Sequence, residues 1–395
     1  MSAFAALEAT AAAASSPRQD GQRTTRHSVE VVAPVPWAPP LYAGGRIQWR
    51  DVPRQEQMGG LPVHHPRYPL LPKVSMPLHA RLMALGCMPL IRRLHAAQPF
   101  DLIDAHFIYP DGAAALRIGN ALGIPTVVSA RGSDIHFHPR FRFVRPQIRK
   151  ALLGAAGRIA VCDALRDEMV RIAGASLTVR VIGNGVDLQR FFPLGRSEAR
   201  QSLRIPANAR ALLCVASLVP VKGHELLLRA FQRVRAAIAE SQLYLIGDGP
   251  LRSRLEDLAA SLGLRDRVRF VGSCPNAHLR TWYSAADVTV LASSREGWPN
   301  VVLESLACGT PVVATRVWGT PEILRSPELG LLVEQTPESL AEGLQTALAT
   351  RWDAAKLICY ARQRDWRVVA GELQSYFQEL LGSSVRKTHP VGAGP

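Results

Sequence analysis

Short apolar runs alternate with longer stretches of three-to-four-residue periodicity along this chain. In the first half, runs at 28–33, 101–105, 125–129, 158–161 and 178–182 read as buried strands, and 76–97, 110–122 and 163–173 read as helices between them. A loop at 184–193 follows, and the pattern restarts. A strand at 211–216 precedes a helix at 222–239, in which Leu226, Leu227, Ala230, Phe231, Val234 and Ile238 recur at helical spacing. Strands at 242–246, 268–271, 287–291 and 311–314 alternate with further helices, and a last helix covers about 366–381. Such alternation predicts two parallel sheets with helices on both faces. Ligands of open sheets of this kind sit beyond the carboxyl ends of the strands.

A length of 395 residues favours two domains, and an apolar content of 47% is enough for packed cores. No apolar run reaches the length that spans a bilayer, and residues 1–16 are alanine-rich without the basic start of a signal peptide. The six cysteines are scattered with no C-x-x-C pair, which points away from a zinc site and a disulfide framework and toward a reducing cytosol. The net charge of +15, nearly all arginine, has a compositional reading and a functional one, attraction to anionic lipid or substrate. Aromatic content of 6% without a recognisable binding motif argues against nucleic acid.

Candidate chemistry gathers just after predicted strands. Glu296 lies in a turn and Glu304 lies eight residues on, with Gly297 and Pro299 between them and Gly309 closing a short helix. The amides from Gly297 to Val301 at that helix start suit a phosphate, while the two carboxylates suit sugar and ribose hydroxyls. The alternative for Glu304 is a helix-start glutamate that the dipole favours. Trp298 packs under a sugar or acts as a wedge between domains. Lys222, at the mouth of strand 211–216, can neutralise a diphosphate or simply start a helix in solvent. In the turn 247–250, Gly247 and Gly249 let backbone approach a ligand, unless the turn is an ordinary strand–helix link. Val271, Gly272 and Ser273 end the next strand. In the first half, His106 ends one strand and Arg131 and Asp134 follow the next. His106 orients a sugar or is a satisfied polar residue. Residues 135–150 interleave aromatic rings with cations, as in a membrane-interface segment or a solvated loop and helix near an acceptor.

The run SREGWPN (294–300) through Glu304, followed by ACGTPVVA (307–314), resembles the E-x7-E signature of the retaining glycosyltransferases of family four, and the likeness extends from about residue 27 to the last helix. The resemblance implies the GT-B fold, two Rossmann-like doubly wound parallel-sheet domains facing across a cleft. It implies transfer of a sugar from a nucleotide-diphosphate donor to a hydroxyl acceptor with retained configuration, by front-face attack, in polysaccharide or glycolipid assembly. His106, Lys222 and Glu296 then take catalytic places. Gly247, Gly249, Val271, Gly272, Gly297, Trp298, Asn300, Val301 and Glu304 take the donor, and Arg131 and Asp134 the acceptor or phosphate side. No metal or other cofactor is expected, because Lys222 and the helix end do a cation's work.

Two positions depart from the family pattern. Ser217 stands where a basic residue precedes the lysine, and Arg131 stands where a histidine is usual, so Arg131 is a candidate for the missing positive charge. Residues 1–26 hold no β-branched run, so the family's first strand is expected to be missing or atypical. The expected organisation is an atypical segment 1–26, an acceptor-side domain 27–188, a nucleotide-sugar domain 189–365, a helix 366–382 that returns to the first domain, and a tail 383–395. Two alternatives stand beside transfer: a nucleotide-binding relative with weak catalysis, and a basic protein that binds anionic surfaces. The location expected is cytoplasmic, peripheral on the inner face of the membrane, with a saccharide or lipid-linked acceptor as second substrate.

Overall fold

The structure is a computed structural model that describes residues 28–37, 51–70 and 75–388. The expectations for segment 1–26 and for the chain beyond 388 lie outside the described residues. The chain divides into two compact units, one made of 1–183 with 366–395 and the other of 184–365.

In the first unit, β1 (Val31–Val32), β2 (Val35–Trp37), β3 (Gln55–Met58), β4 (Leu61–His64) and β5 (Arg67–Pro69) make two small sheets. β4 pairs parallel with β1 and antiparallel with β3, and β2 pairs parallel with β5. Of the strand expected at 28–33 only Val31–Val32 forms a ladder, and Pro34, which has no N–H to give one, separates it from β2 in the other sheet. Gly59 and Gly60, both at positive φ, form the two-residue turn between β3 and β4, a hairpin that a Gly-Gly pair signals.

After α1 (His79–Ala97), β6 (Ile103–His106), β7 (Thr126–Ala130), β8 (Gly157–Ala160) and β9 (Arg180–Val181) form a parallel sheet in that order. α2 (Ala113–Leu122), α3 (Ser133–His136), α4 (Arg145–Gly154) and α5 (Asp163–Ala173) lie between its strands. Every residue of β7 is buried, as a strand covered on both faces requires. The C-terminal helix Trp366–Thr388 belongs to this unit: Trp366 and Val369 join Val127, Ile159 and Ile182 in one apolar cluster. The Tyr376 hydroxyl accepts from the Arg158 N–H at 3.1 Å. Gly157 admits the helix, since a Cβ there would lie 2.5 Å from Leu380 Cδ1.

In the second unit, β10 (Arg210–Val215), β11 (Ser241–Ile246), β12 (Val268–Gly272), β13 (Val288–Leu291), β14 (Val312–Thr315) and β15 (Gly330–Val333) form an all-parallel sheet in the order β12-β11-β10-β13-β14-β15. Counted within the unit this is 3-2-1-4-5-6, the dinucleotide-fold order, with its switch point between β10 and β13. Alternation along β10 sends Ala211 and Leu213 into one apolar cluster and Leu212 and Cys214 into the other. The helices are α6 (Arg196–Leu203), α7 (His224–Ala237), α8 (Arg252–Ser261), α9 (Asn276–Ala285), α10 (Asn300–Ala307), α11 (Thr320–Ile323), α12 (Pro337–Ala349) and α13 (Ala354–Arg362). Leu227, Leu228, Phe231 and Val234 of α7 fill one cluster, and Val302, Leu303 and Leu306 of α10 the other.

Candidate functional site

The two loops that leave the switch point of the second unit are tied to each other. Lys222 does not open a helix as expected. It ends a short 3-10 turn, and Gly223 at φ +67 breaks the chain before α7 starts at His224. A Cβ on Gly223 would lie 1.9 Å from the Ala292 carbonyl oxygen, so only glycine lets the loops approach this closely. The Ser294 N–H donates to the Val221 carbonyl at 2.8 Å. Across this seam Lys222 Nζ lies 2.6 Å from Glu296 Oε1. Ser293, fully buried, donates to the same oxygen at 2.6 Å. Thr315 Oγ1 in turn donates to the Ser293 carbonyl at 2.6 Å, fixing the Glu296 loop to β14.

α10 follows that loop. Pro299 is its N-cap rather than part of its first turn, and no side chain caps the end. The Val302 N–H donates to the Pro299 carbonyl at 3.0 Å, which leaves the Asn300 and Val301 amides to an anion, with the helix dipole in their favour. Asn300 Oδ1 accepts from Asn184 Nδ2 at 3.0 Å, which ties the 184–187 loop to the same end. Asp187 caps its own loop through the amides of Gln189 and Arg190. Trp298 packs against the apolar cluster of this unit, with the Arg364 guanidinium 6.0 Å from its ring centre. Glu304, one turn inside α10, accepts from the Tyr283 hydroxyl at 2.8 Å. Burial pushes its carboxyl up to about 7, against that hydrogen bond and the nearby Arg190 charge.

The missing side chains of Gly247 and Gly249 make room for neighbouring backbone: a Cβ at Gly247 would meet the Ala216 carbonyl oxygen at 2.1 Å, and one at Gly249 the Leu218 carbonyl oxygen at 2.5 Å. The Leu218 N–H donates to Asp248 O at 3.0 Å and the Leu251 N–H to Leu218 O at 3.1 Å, so this turn is laced to the loop after β10. Gly272, at φ +84, ends β12 and accepts from the Gly247 N–H at 2.9 Å, and Val271 packs on the apolar cluster. Ser217 is exposed.

The carboxyl ends of β6 and β7 in the first unit gather a second polar group. His106 Nε2 lies 3.1 Å from Asp104 Oδ2, and Arg131 Nη2 lies 3.0 Å from His106 Nδ1. A carboxylate only accepts and a guanidinium only donates, so His106 presents Nε2–H to Asp104 and the Nδ1 lone pair to Arg131. Burial raises the Asp104 carboxyl, but His106, Arg131 and Ser129 outweigh it and hold it below the usual range. Burial lowers Arg131, with Asp104 and Asp134 opposing. Phe107, next to His106, sits at φ 75, a strained backbone of the sort that functional loops carry.

Asp134 braces its loop from inside the fold. It is fully buried, and its carboxylate accepts from the amides of Ile108 at 2.8 Å, Gly132 at 2.8 Å and Arg131 at 3.2 Å. Burial raises it despite these bonds. Asp111, not singled out in the sequence, is pushed up to about 7 by burial with Asp134 adding. Ser293, Tyr283 and Arg190 were also unmarked. A hydroxyl three residues before Glu296 is a local signal for Ser293, whereas nothing local links Tyr283 to Glu304.

A family model described as glycosyl transferases group 1 matches residues 195–364, and one described as glycosyltransferase family 4 matches 19–190. The putative teichuronic acid biosynthesis glycosyltransferase TuaC of Bacillus subtilis is 30% identical over 327 residues, covering 80% of this chain and 79% of the relative. The chain belongs to the family 4 glycosyltransferases. A D-inositol 3-phosphate glycosyltransferase of Thermobispora bispora is 38% identical over 229 residues, and that match spans about half of either chain, 54% of this one and 53% of the relative. Among solved structures, sucrose-phosphate synthase from Thermosynechococcus elongatus aligns with a TM-score of 0.72 at 24% identity, covering 84% of this chain and 87% of that one. Anabaena HepE in complex with UDP and glucose aligns at 0.66 and 23% identity, covering 81% and 87%. These likenesses show the GT-B fold of the family, and the six-stranded sheet of the second unit is one of its two Rossmann-like halves. Within that fold the Lys222–Glu296 pair sits at the switch point, the place where open α/β sheets take ligands.

Proposed function

We propose that this glycosyltransferase moves a sugar from a nucleoside-diphosphate donor to a hydroxyl acceptor with retention of the anomeric configuration. The observation that carries the reading is the Lys222–Glu296 pair beside the uncapped start of α10. A diphosphate lying on the α10 amides meets the Lys222 ammonium, which offsets the charge that grows on the leaving phosphate. Glu296, held by Ser293 and Lys222, accepts from sugar hydroxyls. Glu304 accepts from ribose hydroxyls as its ionised form. Oriented groups and fixed charges then supply the rate enhancement, and the departing phosphate oxygen takes the acceptor proton.

No metal is required in this scheme, since Lys222 and the helix end act as the cation, and EDTA is expected to leave turnover unchanged. In the first unit a sugar hydroxyl takes the place of Asp104 or Arg131 on a ring nitrogen of His106. HepE is described as bound to UDP and to UDP-glucose, and TuaC as acting in teichuronic acid biosynthesis, which supports a uridine donor and a cell-surface polysaccharide or glycolipid product on the cytoplasmic side of the membrane. A second reading, nucleotide binding with weak transfer, is favoured by the exposed serine at 217 in place of a cation.

The test is a panel of UDP-sugars with released UDP measured and product stereochemistry read by NMR. Parent protein should turn over at least one donor, and Lys222→Ala and Glu296→Gln should lower turnover by ~10²–10³. A folded parent that neither releases UDP nor gains thermal stability from it would remove the transfer reading. Stabilisation by UDP without turnover would establish the second reading in its place.

A further inference from the structure

The helices α1 and α4 of the first unit carry similar exposed side chains. No Asp or Glu occurs between Glu56 and Asp101, nor between Asp134 and Asp163. Within these two acid-free stretches Arg81, Arg92, Arg93, Arg140, Arg142, Arg145, Arg149 and Lys150 are all exposed, and none makes an ion pair among the described residues. Large apolar side chains stand among them: Leu78, Leu85, Phe137, Phe143 and Leu153 account for five of the eight large apolar side chains exposed among the described residues, with Phe143 and Leu85 at 62%.

The structure brings the two stretches together. Gln147 Nε2 donates to the Pro77 carbonyl at 2.8 Å and to the Phe143 carbonyl at 2.9 Å, so Leu78 at the start of α1 and Phe143 at the start of α4 flank one side chain. The Arg142 guanidinium lies 5.3 Å from the Phe143 ring centre, and the Phe137 and Phe141 rings meet edge to face at 5.4 Å. Crowded cations repel one another and apolar side chains facing water are left unburied, and one partner relieves both. Lipid phosphates take the guanidinium groups while Phe and Leu side chains enter the acyl boundary. A nucleic acid would satisfy the arginines but has no use for exposed leucines, since its bases stack on planar groups. No helix of the described residues is long and apolar enough to cross a membrane.

We infer that this α1–α4 face of the first unit docks on an anionic lipid bilayer. The inference rests on the first unit and is independent of the transfer reading, because it is measured without donor. Full-length protein is sedimented with vesicles of phosphatidylcholine alone and of phosphatidylcholine with phosphatidylglycerol, at low and high salt. Binding should need phosphatidylglycerol and weaken with salt. Joint replacement of Arg142, Arg145 and Arg149 by Glu should lower partitioning at least ~tenfold. Phe143→Ser should lower it roughly several-fold at unchanged charge, and as a single exposed substitution it keeps the test valid if the triple variant fails to fold. Equal binding to neutral vesicles, or full binding by both variants, overturns the inference. Capture of an oligonucleotide without vesicle binding, or a dimer that Phe143→Ser dissolves, overturns it in favour of nucleic acid or of a second copy of the chain.

Discussion

Single side chains carry the electrostatics of the candidate site. Glu304 is the most informative, because burial raises its carboxyl from 4.5 to about 7. The folded state therefore holds a proton that the unfolded chain has lost between those pH values. Stability present at pH 4 falls as pH rises through that window, and the loss is complete above about 7. Glu304→Gln removes the penalty and keeps an acceptor for Tyr283, so the variant should melt higher than the parent at pH 8 by on the order of 1–3 kcal/mol and no higher at pH 4. Ribose hydroxyls need the ionised form, so parent affinity for UDP should weaken by up to ~tenfold per pH unit below about 7. A pH-flat affinity, or one that Gln leaves unchanged, would remove Glu304 from the ribose role. Asp134 acts on stability and not on the ligand. Asp134→Ala strands three amides, that of Ile108 fully buried, and should cost ~2–3 kcal/mol in a denaturation series, with no effect on UDP affinity.

Elements position these groups through backbone seams. The loops after β10, β11 and β13 are fastened by Gly223, Gly247 and Gly249, each pressed against a neighbouring carbonyl. Gly223→Ala meets both a positive φ and a 1.9 Å clash, so the seam must open. The variant should lose ~2 kcal/mol or more of stability and separate Lys222 from Glu296, seen as a loss of UDP-induced stabilisation larger than the loss in melting temperature explains. In the first unit the C-terminal helix is held by the Trp366 and Val369 cluster and by Tyr376, and Tyr376→Phe should cost about 1 kcal/mol through its bond to Arg158. Most of these elements are legible from apolar periodicity, as the helix at 224–237 and the strands at 211–215 and 242–246 show. The break at Gly223, the separation of β1 from β2 at Pro34 and the Gly59–Gly60 hairpin are not periodic signals. Each depends on one residue's backbone chemistry.

At the scale of the molecule, the second unit is one continuous stretch, 184–365, whereas the first needs residues from both ends of the chain. A fragment of 184–365 should fold alone and bind UDP, while one ending at Asp365 should lose the first unit, as circular dichroism and UDP thermal shift can show. Sequence alone determined the α/β alternation, the two-part plan and the family, because strand burial, helix spacing and the 294–314 run are local properties of the chain. It also marked Lys222, Glu296 and Glu304. Tertiary structure alone decided what those residues touch. The Lys222–Glu296 pair spans 74 residues and Tyr283–Glu304 spans 21, distances that only the sheet order closes. The same order gives Gly247, Gly249 and Asp134 packing and bracing contacts, because backbone from elsewhere in the fold fills the space beside them.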